Sequence, residues 1–155
     1  MPNALVNTFK YDHLTGAISL SADAINNKNI FVILLSGSYV PNIDTHTRYR
    51  DVSAHEVNVT GPVAIGYSAG GQCMSASNVF AVDNTNDRAT WDSADISWLS
   101  STITARYAAI VKIRSGGANK DLDNLIGIID FNSDQSSSNG TFTIQWNSIG
   151  VLSLT

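Results

Sequence analysis

Hydrophobic residues along this chain come in short runs cut by clusters of Gly, Asn, Asp and Ser, the pattern of antiparallel strands joined by turns. In T-F-T-I-Q-W, Phe142, Ile144 and Trp146 alternate with Thr141, Thr143 and Gln145, so one face of this strand is core. In A-R-Y-A-A-I-V-K-I, Tyr107, Ala109, Val111 and Ile113 alternate with Arg106, Ala108, Ile110 and Lys112. That split is less clean and predicts a strand buried partly on both faces. Ile30 to Leu35 is apolar throughout and predicts a central strand. Strands are expected at 17–20, 29–35, 52–59, 72–82, 89–91, 102–114, 125–131, 141–146 and 150–154, with no repeat of fixed period.

Eight or nine short strands suit two packed sheets. The expected fold is all-β: an antiparallel β-sandwich, jelly-roll-like, forming a single domain over residues 1–155. Long polar loops are expected at 39–51, 83–95, 115–124 and 132–140, and recognition sits on such loops more often than on strands. Residues 1–13 precede the first clear strand and carry Leu5, Val6 and Phe9 without alternation. They are either an N-terminal arm that orders against a neighbouring subunit or the first edge strand.

Composition reinforces the β reading. Glu56 is the only glutamate and lysine occurs only at 10, 28, 112 and 120, so the straight-chain residues that favour helix surfaces are scarce. Charged residues are 14% of the chain and hydrophobic ones 43%. Soluble domains usually carry ~25% charged residues, so neutral polar groups or partner subunits must cover this surface. A homo-oligomer is expected, a trimer in preference to a dimer. The net charge of -4 argues against a protein that tracks phosphate backbones, so no direct nucleic-acid partner is expected. No opening signal stretch and no apolar run near the ~20 residues of a membrane span is visible, which predicts a chain made in the cytoplasm with no membrane partner. Cys73 stands alone, so it forms no intrachain disulfide.

One stretch carries the signature of chemistry. Gly66-Tyr67-Ser68-Ala69-Gly70 matches the G-x-S-x-G nucleophile elbow of serine hydrolases. In that fold an acid and a histidine follow the serine, whereas His13, His46 and His55 all precede Ser68. The residues after Gly71 read as strand and not as the helix an elbow needs, and Gly70-Gly71 fits a turn or bulge. The expectation is no enzyme and no catalytic residue. Asp83, Asp87, Asp92 and Asp95 lack the EF-hand spacing and read as solvated turn residues. His13, His46, His55 and Cys73 have no zinc-ligand spacing beyond the loose pair His46 and His55, so neither a metal nor a cofactor is expected. Trp146 reads as core, while Trp91 and Trp98 flank a polar loop and are candidate interface anchors beside Leu5, Val6 and Phe9.

Five stretches, in order, carry a resemblance: YDHLTGAISLSADAI, FVILLSGSYVPNIDTHTRYRDVSAHEV, GYSAGGQ, ITARYAAIVK and LIGIIDFNSDQSSSNGTFTIQWNSIGVLSL. From Phe9 to Leu154 the chain resembles small structural proteins of tailed bacteriophages, the head decoration (cement) proteins and other small virion proteins. The resemblance lies in the order of these phrases and in no catalytic motif. It implies a virion protein on the outer surface of the capsid that binds the major capsid protein and ties neighbouring subunits together. A symmetric oligomer would match a local symmetry axis of the lattice. The alternatives are a tail or connector structural protein, or a carbohydrate-binding module of a virion.

Overall fold

The computed structural model describes residues 4–20, 30–58, 64–74, 79–113 and 120–155. The spine is a long hairpin of β6 (Ile96–Lys112) and β7 (Asn124–Ile144), paired antiparallel from Ile96↔Ile144 to Lys112↔Asn124. On β6 lies β2 (Ile30–Leu35), which pairs from Ile30↔Lys112 to Leu35↔Tyr107 and carries β3 (Gln72–Cys73) on its other side. On β7 lies β1 (Ala4–Leu5), with Ala4 opposite Ile128. The order β1-β7-β6-β2-β3 makes one antiparallel sheet. A smaller one has the order β4-β5-β8, from β4 (Val79–Asp83), β5 (Arg88–Asp92) and β8 (Leu152–Leu154). The chain is mostly β, as its composition predicts.

The central strand is where the apolar run places it: Val32, Ile33, Leu34 and Leu35 are buried between β6 and β3. Ala108, Ala109, Ile110 and Val111 are also buried in succession, so β6 is covered on both faces here. Phe142 and Ile144 are buried while Thr141, Thr143 and Gln145 are exposed, as the alternation requires. Trp146 is only half-buried.

Four expectations are corrected. Residues 132–140 are not a loop but the middle of β7. Their turn-type residues are used for irregularity within a paired strand: Ser100, Asn132 and Asn139 have positive φ (49°, 65° and 48°), and the β6–β7 register shifts between Trp98 and Ser101. Polar side chains then bond across the ladder, Ser101 to Ser137 and Ser97 to Thr143, each at 2.8 Å.

Residues 52–58 are not a strand. A short helix, α2 (Arg50–Ser53), occupies their start, and the segment meets β2 only through an isolated bridge, Glu56 opposite Leu35, with Val57 N–H on Leu34 O. Asp51 explains the turn: its Oδ2 accepts the backbone N–H groups of Thr47 and Arg48 at 2.8 and 2.9 Å, which satisfies donors a strand would have used in a ladder.

Residues 17–20 do not form a strand, although Ile18 and Leu20 are buried. The run 72–82 is split between β3 and β4, which belong to different sheets, and residues 75–78 lie outside the described residues, as do 114–119 and with them half of the loop expected at 115–124.

The N-terminal segment folds onto the domain. After β1 comes a helix, α1 (Asn7–Leu14), that has no side-chain cap. Tertiary contacts hold it instead: Val6 N–H bonds Ile126 O, Asn7 N–H bonds Ile43 O, and Val6 and Phe9 are fully buried. β1 is the edge strand of the large sheet, so the edge-strand reading describes residues 4–5.

Candidate interaction surface

The G-x-S-x-G stretch is a turn built around the only glutamate. Glu56 is completely buried, and its carboxyl accepts three bonds: Tyr49 O–H at 2.6 Å, Tyr67 O–H at 2.5 Å and Gly70 N–H at 2.6 Å. The Tyr67 oxygen in turn accepts Leu34 N–H from the central strand at 3.1 Å. Burial first, then the Glu56 carboxyl, raise both tyrosines well above the usual phenol range. Gly70 and Gly71 take positive φ (95° and 71°), and a Cβ on Gly71 would sit 2.0 Å from Val32 O. The glycines let the chain turn tightly against β2 and enter β3, while Ser68 points to the exposed side of the turn.

The two histidines nearest Ser68 in the sequence, His46 and His55, are engaged elsewhere. His46 Nδ1 lies 2.8 Å from the Tyr39 hydroxyl, and His55 Nδ1 lies 3.1 Å from Ser38 Oγ. Both rings lie against the buried Tyr39, with centroids 5.5 Å away in each case. Burial, reinforced by Asp51 and Tyr107, raises the Tyr39 phenol as well.

The aspartates of 83–95 act as turn and strand-end acceptors. Asp83 takes the N–H groups of Thr85 and Asn86 and pairs with Arg88 at 2.8 Å, closing the β4–β5 hairpin. The Asn86 side chain, with its backbone N–H and Arg88, holds the Asp83 carboxyl below its ordinary value against the opposing effect of desolvation. Asp95 accepts the backbone N–H of Trp146 at 3.0 Å. Among the described residues no three His, Cys, Asp or Glu side chains gather as metal ligands. No described helix is long and apolar enough to cross a membrane.

The small sheet gathers four exposed large hydrophobic residues, Val79, Phe80, Val82 and Leu154. Its register, Phe80↔Trp91↔Leu152 and Val82↔Ala89↔Leu154, puts these six side chains on one face. Phe80 stacks on Trp91 with ring planes 5° apart, and Ile18 and Leu20 border a cavity of about 380 Å³ on this face. Trp91 is buried, but Val82 is 74% exposed, Leu154 43% and Phe80 36%. Val79, on the opposite face, is 56% exposed. β4 is also an edge of its sheet, and Val79–Val82 carries no charge, proline or bulge of the kinds that usually blunt a free edge.

Of the sequence-based contact candidates, only Trp91 lies on this face, beneath Phe80. Val6, Phe9, Trp91 and Trp98 are core residues of this chain, and Leu5 is half-buried against that core. Trp98 packs between Tyr67 and Phe142. Alternation alone did not mark Val79, Phe80, Val82 or Leu154. The one signal for the first three was an uncharged V-F-A-V run, which reads equally well as a core strand. Compared with protein-family models, curated proteins and solved structures, the chain matches none.

Proposed function

We propose that the chain is a virion structural protein, a capsid decoration protein that binds the outside of a phage head and bridges major capsid subunits. The observation that carries this reading is the exposed apolar face of β4, which is an edge strand among the described residues. A face of this kind on a chain with 14% charged residues is the signature of a subunit that buries it against other protein. The ordered likeness of sequence phrases to small virion proteins supports the choice of partner. The two antiparallel sheets act as the layers of a sandwich-like scaffold, with β4 presented at its margin. Self-association as a trimer, in preference to a dimer, would place three copies of this face around one axis of the lattice. Repetition over a lattice makes many modest contacts sufficient, because avidity exceeds the affinity of each.

Electron microscopy of particles carrying the protein tests this reading. Density for the chain on the outer surface of the head, with β4 against a capsid subunit, is the expected result. Density in the tail or connector would replace the assignment with a tail structural role, and absence from the particle would end it.

A further inference from the structure

Between β7 and the segment 146–153, which runs through a turn into β8, lies a second cleft, of about 440 Å³. Leu5, Ile128, Phe131 and Val151 supply its apolar lining, and Trp146 stands in its wall. The indole is fixed at both ends: Nε1–H donates to Ala94 O at 2.9 Å and the backbone N–H to Asp95 Oδ1 at 3.0 Å. A half-buried aromatic ring held this way is a preorganised stacking surface.

Two of the polar side chains around it are neutral and uncommitted. Ser153 Oγ is buried in the wall without a hydrogen-bond partner among the described residues, an arrangement that native structures rarely leave unexplained. The Gln145 side chain is exposed beside Trp146 and makes no hydrogen bond there. Asn147 uses its Oδ1 on Ile149 N–H at 3.0 Å, so its own amide donors face outward from that bond. The one carboxylate of the cleft, Asp130, is 3.1 Å from Arg106 Nε and accepts Asn132 N–H at 2.7 Å. A ligand here meets an aromatic face, an apolar wall, a carboxamide and an orphan hydroxyl, and no unpaired charge.

We infer that this cleft binds a neutral hexopyranoside, its apolar C–H face on Trp146 and its hydroxyls on Gln145, Asn147 and Ser153. The volume falls in the range of small-ligand pockets, ~300–1,000 Å³. The mixture of surfaces fits a sugar ring, which has apolar faces and a polar perimeter. An aliphatic chain would leave Ser153 and Gln145 unmatched, and an anionic ligand would find no free cation among the described lining residues.

The test is calorimetric titration of the full chain with maltotriose, cellotriose and lactose, with glycerol as a polyol lacking a ring face. At least one of the three sugars binds with a millimolar or tighter Kd, and glycerol does not. Trp146→Ala removes binding. Because that variant can also disturb packing, Gln145→Ala and Ser153→Ala carry the decision: each weakens binding by roughly three- to tenfold, with an unchanged circular dichroism spectrum. Ser153→Ala also leaves thermal stability unchanged or raised, since it removes a buried hydroxyl that has no partner. No heat with any of the three sugars up to about 20 mM, or equal affinity in both variants and the parent chain, overturns the inference.

Discussion

The Tyr67 hydroxyl lies 2.5 Å from Oε1 of Glu56, and the same oxygen takes Gly70 N–H at 2.6 Å, so one buried carboxyl joins the glycine turn to its own tyrosine. Tyr49 closes the third contact. Glu56→Ala would strand three donors in the core at once. Each buried orphan costs ~1–3 kcal/mol, so a loss of about 3 kcal/mol or more is expected in urea unfolding. Tyr67→Phe, which removes one donor to Glu56 and the acceptor for Leu34 N–H, should cost about 1–3 kcal/mol. A Glu56→Ala variant as stable as the parent chain would show that the carboxyl does not hold the turn.

Gly71 and Gly16 separate two effects of a positive φ. Both lie in the left-handed region, at 71° and 75°, but a Cβ on Gly71 meets Val32 O at 2.0 Å while one on Gly16 meets nothing within 4 Å. Gly16→Ala should therefore cost only the conformational penalty, about 1–2 kcal/mol. Gly71→Ala forces β2 and the turn apart and should fail to yield a cooperative thermal transition. Similar melting temperatures for the two variants would contradict this.

Tyr39, Tyr49 and Tyr67 all have phenols raised by burial. An acid whose folded value is raised stabilises the fold fully below its ordinary value near pH ~10, and that contribution is lost as pH climbs toward the folded value. Phenolate absorbance at high pH should show these three ionising together with loss of the fold. Their ionisation in a still-folded chain near pH ~10 would contradict the geometry.

Asp51 works in the opposite direction. Burial opposes its ionisation, but the N–H groups of Thr47 and Arg48 and the charges of Arg50 and His46 outweigh that and hold the carboxyl low. A depressed carboxyl contributes stability above its ordinary value, ~3.9, and loses it as pH falls through the folded value. Asp51→Asn should therefore be less stable than the parent chain at neutral pH, with the gap narrowing under acid. A gap that stays constant from neutral to strongly acidic solution would rule out this linkage.

What could be read from the chain was what obeys a short period. The alternation at 141–146 and the apolar run of β2 were legible because a strand writes its faces every second residue. The α1 helix was not, since N-T-F-K-Y-D-H-L carries no cap and no apolar stripe and is held by residues far along the chain, Ile43 and Ile126. The middle of β7 was hidden by Ser, Asn and Asp that serve there as bulges and cross-strand hydroxyl pairs. The β4 surface was hidden for another reason: hydrophobicity says that Val82 prefers burial, but only topology says that its strand lies at an edge. Trp146 was legible as a partner of Phe142 and Ile144, but its place in a cleft was not.

The central claim is that the exposed face of β4 seats the chain on a capsid, and Val82→Lys tests it most directly. The side chain is 74% exposed, so the isolated variant should keep its stability to within about 0.5 kcal/mol. Placed at an interface, the same lysine would bring an unpaired charge into an apolar contact, which lowers affinity about tenfold or more. The decisive measurement is the temperature at which phage heads release DNA when mixed with the parent chain, with Val82→Lys, or with neither. The parent chain should raise that temperature, because each bound copy favours the intact lattice by mass action, and Val82→Lys should leave heads as they are without the protein. Equal protection by the two forms, or none by the parent chain, would contradict the account.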